Sequence, residues 1–257
     1  MFNPQPILLS EVYKVGFSLR YYPELDRVLP QAFIVPVHDN HKMMYYVALA
    51  KIDTIPSYGI DMNDSHLTKA IQYTEELSPL AIEQFFNKSQ KKKQSLQTLF
   101  LHKEHKKILS NYINVRMNSF LELCFENQWD ICWNLERKMR FEDGRMVLLP
   151  MISQAILCFD KTVNGVLYSM KLDMGEQQLF PSQIQVKILN EFPAWVSAGN
   201  KIFRIEHLNA VKLKPFLSKE STYIPKEKVK EFFEKFVLEN LYQSKVETTG
   251  FHIEHDE

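Results

Sequence analysis

Ala155-Ile156-Leu157-Cys158-Phe159-Asp160-Lys161-Thr162-Val163-Asn164-Gly165-Val166-Leu167-Tyr168-Ser169-Met170-Lys171-Leu172-Asp173 is the stretch on which the fold turns. Two runs rich in β-branched and aromatic residues flank Asn164-Gly165, a dipeptide suited to a turn whose central residues both take positive φ. The stretch therefore predicts an antiparallel hairpin joining Ala155–Asp160 to Val166–Asp173. A period of two holds from Ile131 onward. Glu142-Asp143-Gly144-Arg145 marks a turn, and two strands flank Gly199 in Ala194–Ile205. Val211-Lys212-Leu213 alternates once more before Pro215. Pro225 then opens a helix with an apolar stripe at Val229, Phe232, Phe233, Phe236, Val237 and Leu241. Thr248–Ile253 returns as an edge strand in this reading.

Upstream the texture changes. Residues 63–128 carry helical spacing: Asp64 or Ser65 caps a run with Leu67, Ala70, Ile71 and Thr74 on one face. Ser78-Pro79 restarts a helix, with Leu80, Ile82, Phe85 and Phe86 as its apolar face. A third, longer helix presents Ile108, Tyr112, Val115, Ser119 and Leu123 beside Leu109, Phe120 and Phe125, and ends at Asn127-Gln128-Trp129-Asp130. Before these helices, Ala32-Phe33-Ile34-Val35 and Met44–Leu49 read as two buried strands joined by a turn at His38-Asp39-Asn40-His41. Leu29 and Val35 each precede a proline and are held extended. The class is α+β: N-terminal strands plus a helical segment, then a mostly antiparallel β-rich unit with a covering C-terminal helix. The corresponding division is 1–150, with helices at about 64–128, and 151–257, with a helix at about 225–242.

Composition narrows the chemistry. The 257 residues hold 31 basic and 31 acidic side chains, seven glycines and three cysteines. No glycine precedes a lysine and no G-x-G-x-x-G exists, which excludes a Walker-type loop and a dinucleotide fingerprint. Cys124, Cys132 and Cys158 are odd in number and lack C-x-x-C spacing, so neither a disulfide framework nor a zinc knuckle is indicated. The N-terminus lacks the basic region of a secretory signal, and the apolar run from Val147 to Phe159 is too short for a bilayer. A reduced, cytoplasmic protein without a membrane partner is the expectation. Zero net charge leaves nucleic-acid binding to a local patch.

One such patch exists. Lys88, Lys91, Lys92, Lys93, Lys103, Lys106 and Lys107 stand against Glu104 alone, seven positive charges to one negative and hence a local +6. Clustered cations of this kind neutralise phosphates and release counterions, yet a solvated linker between helices has the same composition. Lys212 and Lys214 add a smaller basic pair. His102 and His105 sit three apart without a third metal ligand, and His252 and His255 repeat the spacing in an acidic tail. There is no G-x-S-x-G elbow and no zinc-deaminase signature. Glu75 and Glu76 are adjacent on a helix and diverge by about 100°. Cys158 reads as a small buried hydrophobe. No catalytic residue, cofactor site or metal site is assigned. Among the aromatics, Phe232, Phe233 and Phe236 read as core and Trp195 as part of a strand face. Tyr21-Tyr22, before Pro23, is the pair most open to base stacking.

Ile188-Leu189-Asn190-Glu191-Phe192-Pro193-Ala194-Trp195, then Asn200–Ile205, Val211-Lys212-Leu213-Lys214-Pro215-Phe216, Tyr223-Ile224-Pro225-Lys226 and the Phe-rich helix follow a familiar order. Over residues 153–253 it resembles the segment preceding the ATPase core in bacterial Swi/Snf-type helicase-like proteins. Those proteins are ATP-driven translocases on duplex DNA. The chain lacks both the Gly-Lys loop and the D-E-x-H motif of their motor, so the resemblance implies a non-enzymatic accessory N-terminal region, as a fragment or a stand-alone relative. Its expected partners are duplex DNA and a Swi/Snf-type motor in the same full-length chain. A protein–protein docking domain without nucleic acid is the alternative from another class, and an enzyme with an unrecognised site is the third.

Overall fold

In a computed structural model of the chain, residues 12–37, 43–88, 95–101, 103–175, 177–237 and 245–250 are described. The fold is α+β. The chain divides into two compact units, Met1–Leu148 and Leu149–Glu257.

The first unit is built on β1, Val12–Tyr22, and β2, Arg27–Val37. They pair antiparallel along their full length, from Val12↔Val37 to Tyr22↔Arg27. This partner of β2 was not anticipated: β2 was expected to pair chiefly with Met44–Leu49. That segment contributes only β3, Ala48–Leu49, opposite Phe33 and Ile34. The limit is chemical. Carbonyl oxygens of Ala32, Ile34 and Pro36 accept from Ala50, Val47 and Met44 N–H, so the even residues of β2 face outward. Pro30 and Pro36 have no N–H to offer on that edge, which leaves a two-way ladder only between them. The turn expected at His38–His41 lies outside the described residues.

Both faces of the β1–β2 ladder are covered. On one, Phe17 meets Phe120 edge-on with ring centroids 5.2 Å apart and Trp129 at 5.4 Å. Phe120 belongs to α4, Lys103–Glu126, which follows α1, Ser65–Glu76, α2, Pro79–Asn87, and α3, Leu96–Leu101. On the other, Phe33, Val35, Cys132, Leu135 and Phe141 form a second cluster. A Cβ on Gly16 would sit 2.5 Å from the Phe141 ring, so only glycine lets that ring close on β1. β4, Ile131–Trp133, pairs parallel with β1 at Phe17↔Ile131 and antiparallel with the start of β5, Arg145–Thr162.

The helix caps form as their residues dictate. Asp64 accepts from His66 and Leu67 N–H, and Ser78 from Ala81 N–H. The faces differ from expectation. In α2 only Ile82 and Phe86 are buried, while Leu80 and Phe85 are 67% and 44% exposed. In α4 the buried stripe is Leu109, Ile113, Met117, Phe120, Leu121 and Cys124, and Ile108 and Val115 are more than half exposed. Neighbouring helical positions differ by about 100°, so taking Ile108 in place of Leu109 rotated the inferred face outward.

The second unit carries the predicted hairpin. β5 and β6, Gly165–Asp173, run antiparallel from Gln154↔Asp173 to Thr162↔Gly165. Val163 and Asn164 are therefore the turn residues, and neither they nor Gly165 has positive φ. Gly165 serves another end: a Cβ there would collide with the carbonyl oxygen of Ile224 on β11, Ser221–Pro225, which pairs with β6. β9, Ala194–Ala198, and β10, Lys201–Ile205, form a second hairpin around Gly199, at φ 57°. β8, Lys187–Asn190, flanks β9, and β7, Gln178–Leu179, extends β6. β12, Lys245–Thr249, adds a parallel edge to β5, so the expected edge strand starts earlier than Thr248.

Val211-Lys212-Leu213 is not a strand. It lies in a 3-10 helix, Ala210–Phe216, capped by Asn209, with Ala210, Leu213 and Phe216 buried. A spacing of three lines up on a helix with three residues per turn, which the brief alternation concealed. The covering helix is α5, Lys226–Phe232, followed by a π turn, Phe233–Val237. Val229, Phe232 and Phe233 are partly buried against a core that includes Leu157, Phe159, Tyr168, Phe203 and Phe216. Phe159 stacks on Tyr168 at 5.1 Å, and Tyr168 meets Phe216 and Phe232 at 5.1 and 5.3 Å. Leu241 lies outside the described residues.

Gly165→Ala is expected to lower unfolding free energy by about 1–3 kcal/mol, because a strand backbone must move. Gly199→Ala, with no atom within 4 Å of the new Cβ, should lose only the positive-φ cost of about 1 kcal/mol. Urea denaturation of both variants checks the order; equal losses would refute the close-approach reading of Gly165.

Candidate nucleic-acid interface

α4 opens with Lys103, Lys106 and Lys107, all exposed. Their i, i+3, i+4 spacing sets them near one another on one side of the helix. No carboxylate of the described residues lies within ion-pair distance of the three, although Glu104 is a close neighbour in sequence. Lys88, at the C-cap of α2, is also exposed. Phe86 meets the His105 ring with centroids 6.3 Å apart, which brings the end of α2 beside the head of α4.

Further along, α4 is braced to both α1 and α2. The Arg116 Nε donates to Glu76 Oε2 at 2.6 Å, while its guanidinium lies 3.7 Å over the Tyr112 ring. Tyr112 donates its hydroxyl proton to Glu76 O, and its ring packs on Phe85 at 4.5 Å. Structure thus groups Lys88, Lys103, Lys106 and Lys107. Lys91, Lys92 and Lys93 lie outside the described residues. Lys212 and Lys214 belong to the other unit and sit on the 3-10 helix, not on the strand assigned to them; Lys212 is half-buried and Lys214 exposed.

The remaining candidates have structural employment. Glu75 accepts from Ile52 N–H and Glu76 holds Arg116. His102, His252 and His255 lie outside the described residues, and no cluster of three metal-ligating side chains occurs among the described ones. All three cysteines are free and buried. Burial pushes the Cys124 thiol well up and the Cys132 thiol up to about 12. Trp195 is buried in β9. Of the tyrosine pair only Tyr21 is exposed; it donates to Asp26, while Tyr22 is half-buried and accepts from Gln31. An open cleft of about 690 Å³ lies in the first unit, lined by Leu49, Ile52, Leu80, Gln31, Asp53 and Glu75 among others. It has no histidine or cysteine, and sequence reasoning had no sign of it because its walls come from β2, the Lys51–Asp53 loop and the α1–α2 junction.

No family model, curated protein or solved structure matches this chain.

The exposed lysines at the head of α4 repel one another, and no ion pair holds them to a carboxylate among the described residues. Replacing Lys103 and Lys107 together by alanine is expected to leave stability unchanged or raise it by up to about 0.5 kcal/mol, the scale of an i, i+4 like-charge pair. A thermal melt showing a loss above about 1 kcal/mol would mean that these side chains hold the fold.

Proposed function

We propose that this chain is a non-catalytic accessory module of a Swi/Snf-type DNA translocase, touching duplex DNA through Lys88, Lys103, Lys106 and Lys107. The observation that carries the reading is the exposed lysine group at the head of α4, which makes no ion pair with a carboxylate among the described residues. Lys91, Lys92 and Lys93 extend the same patch by sequence, and Lys212 and Lys214 are a second contact in the other unit. The resemblance over residues 153–253 supplies the translocase class. The motor that hydrolyses ATP would be a different part of the full-length protein.

Lysine binds phosphate as a point charge on a flexible stem, which suits contact with DNA of any sequence. Each neutralised phosphate steepens the salt dependence by about 0.9 in the log–log slope. A docking domain without nucleic acid is the second reading. It is favoured by Phe85, Ile108 and Val115, which are 44%, 54% and 55% exposed on the same two helices.

Duplex DNA titrated into the full chain at several salt concentrations separates the two. The DNA reading expects binding that weakens steeply with salt, and a triple variant, Lys103→Ala with Lys106→Ala and Lys107→Ala, whose slope falls by about 3. Unchanged affinity and slope in that variant would overturn the patch assignment and favour docking.

A further inference from the structure

Cys158, Ser169, Lys171 and Glu247 share one face of the second unit's sheet. The register sets both Ser169 on β6 and Glu247 on β12 opposite Cys158, with Lys171 two residues along β6. Cross-strand partners and i+2 neighbours point to the same face. Since β5 lies between β6 and β12, the Lys171 side chain must cross over β5 to reach Glu247, where Nζ stands 3.3 Å from Oε2. Cys158 Sγ faces the same Oε2 at 3.8 Å and the carbonyl of Ile156 at 3.9 Å. The thiol residue is 6% exposed, but the ion pair above it is open to solvent, with side chains 28% and 39% exposed.

Neither the core nor the proposed DNA contact uses this grouping. A thiol beside both a proton acceptor and a proton donor has what attack on a peroxide requires. We propose that Cys158 is a site of oxidation by hydroperoxides, with Glu247 accepting the thiol proton and Lys171 protonating the departing oxygen. In the step, the S–H proton passes to Glu247 and sulfur attacks one peroxide oxygen. An S–O bond forms as the O–O bond breaks, and sulfur gives two electrons to the peroxide. With hydrogen peroxide the displaced hydroxide takes a proton from Lys171 and leaves as water. The proton on Glu247 then returns to Lys171, so thiol and hydrogen peroxide have become sulfenic acid and water. Burial holds the resting thiol above its ordinary value; the Lys171 ammonium pulls it down and the Glu247 carboxylate pushes it back up. A basic thiolate is intrinsically the stronger nucleophile, so a small ionised fraction suffices for slow sensing.

Cys124 and Cys132 are internal controls: both are fully buried, and the charges that act on the Cys132 thiol, the carboxylates of Asp143 and Glu142, push it further up. The folded full chain is treated with hydrogen peroxide and dimedone, and adducts are mapped by mass spectrometry. Cys158 should label at least about tenfold faster than either control, Lys171→Met should slow it about tenfold, and Lys171→Arg, which keeps a crossing cation, should stay within about threefold of the native rate. Labelling of Cys158 no faster than the controls would overturn the proposal, as would a native rate in Lys171→Met. Should Lys171→Met unfold and label all three cysteines alike, Lys171→Arg decides: a tenfold loss there, in a folded chain, also overturns it.

Discussion

Burial of both faces of the β1–β2 ladder governs where the first unit can carry charge. Phe17 is closed off by Phe120 and Trp129, and Gly16 by Phe141. Even Ser18, at 0% exposure, is spent on the fold, its hydroxyl accepting from Leu135 N–H. The enclosed middle of the strand, Gly16–Leu19, cannot hold an unpartnered ion, because the desolvation cost exceeds what a surface contact returns. In the first unit charge is left to the exposed ends of the ladder, as at Lys14 and Arg20, and to the helices. The lysines gather at the head of α4, while the Arg116–Glu76–Tyr112 brace holds that helix to α1 and the Phe85–Tyr112 ring contact holds it to α2.

Much of the second unit was legible because its signals are local. The β5–β6 and β9–β10 hairpins each close over two residues, so alternation and a nearby Asn-Gly or Gly-Asn are enough to find them. What Gly165 does was not legible. Its conformation is ordinary, and its constraint comes from Ile224, 59 positions away in the chain. The 3-10 helix at Ala210–Phe216 was missed for the opposite reason: three residues of alternation outweighed a spacing of three that needs Asn209 and Phe216 in view together.

In the first unit β1 shows how a pattern can be present and unread. Tyr13, Val15, Phe17 and Leu19 alternate with Lys14, Gly16, Ser18 and Arg20, and Pro23-Glu24-Leu25-Asp26 returns the chain, with Asp26 at φ 47°. The denser apolar runs at Ala32–Val35 and Met44–Leu49 outweigh it in the sequence. The α4 face failed differently. Ile108 and Leu109 are both good core residues, and helical spacing alone does not choose between stripes one residue apart. The choice is made by the ladder: Phe120 must meet Phe17, and that phase places Leu109, Ile113 and Met117 inward.

The same phase decides what the candidate interface contains. With Leu109 inward, Ile108 and Val115 turn to solvent on the helix that begins with Lys103, Lys106 and Lys107. Sequence charge alone marks the lysines as a cluster, since charge needs no phase to be counted, whereas the exposed apolar residues beside them emerge only once the helix is docked. Cations bind phosphate at a distance and with salt sensitivity, whereas Ile108 and Val115 gain only from a surface that excludes water. A single ligand that rewards both is a macromolecule with anionic and apolar ground side by side. Naked duplex DNA satisfies the first requirement in full and the second only through sugar and base-methyl contacts. In the proposed translocase setting the two demands would fall to different partners, the lysines to DNA and the apolar residues to a protein surface that excludes water.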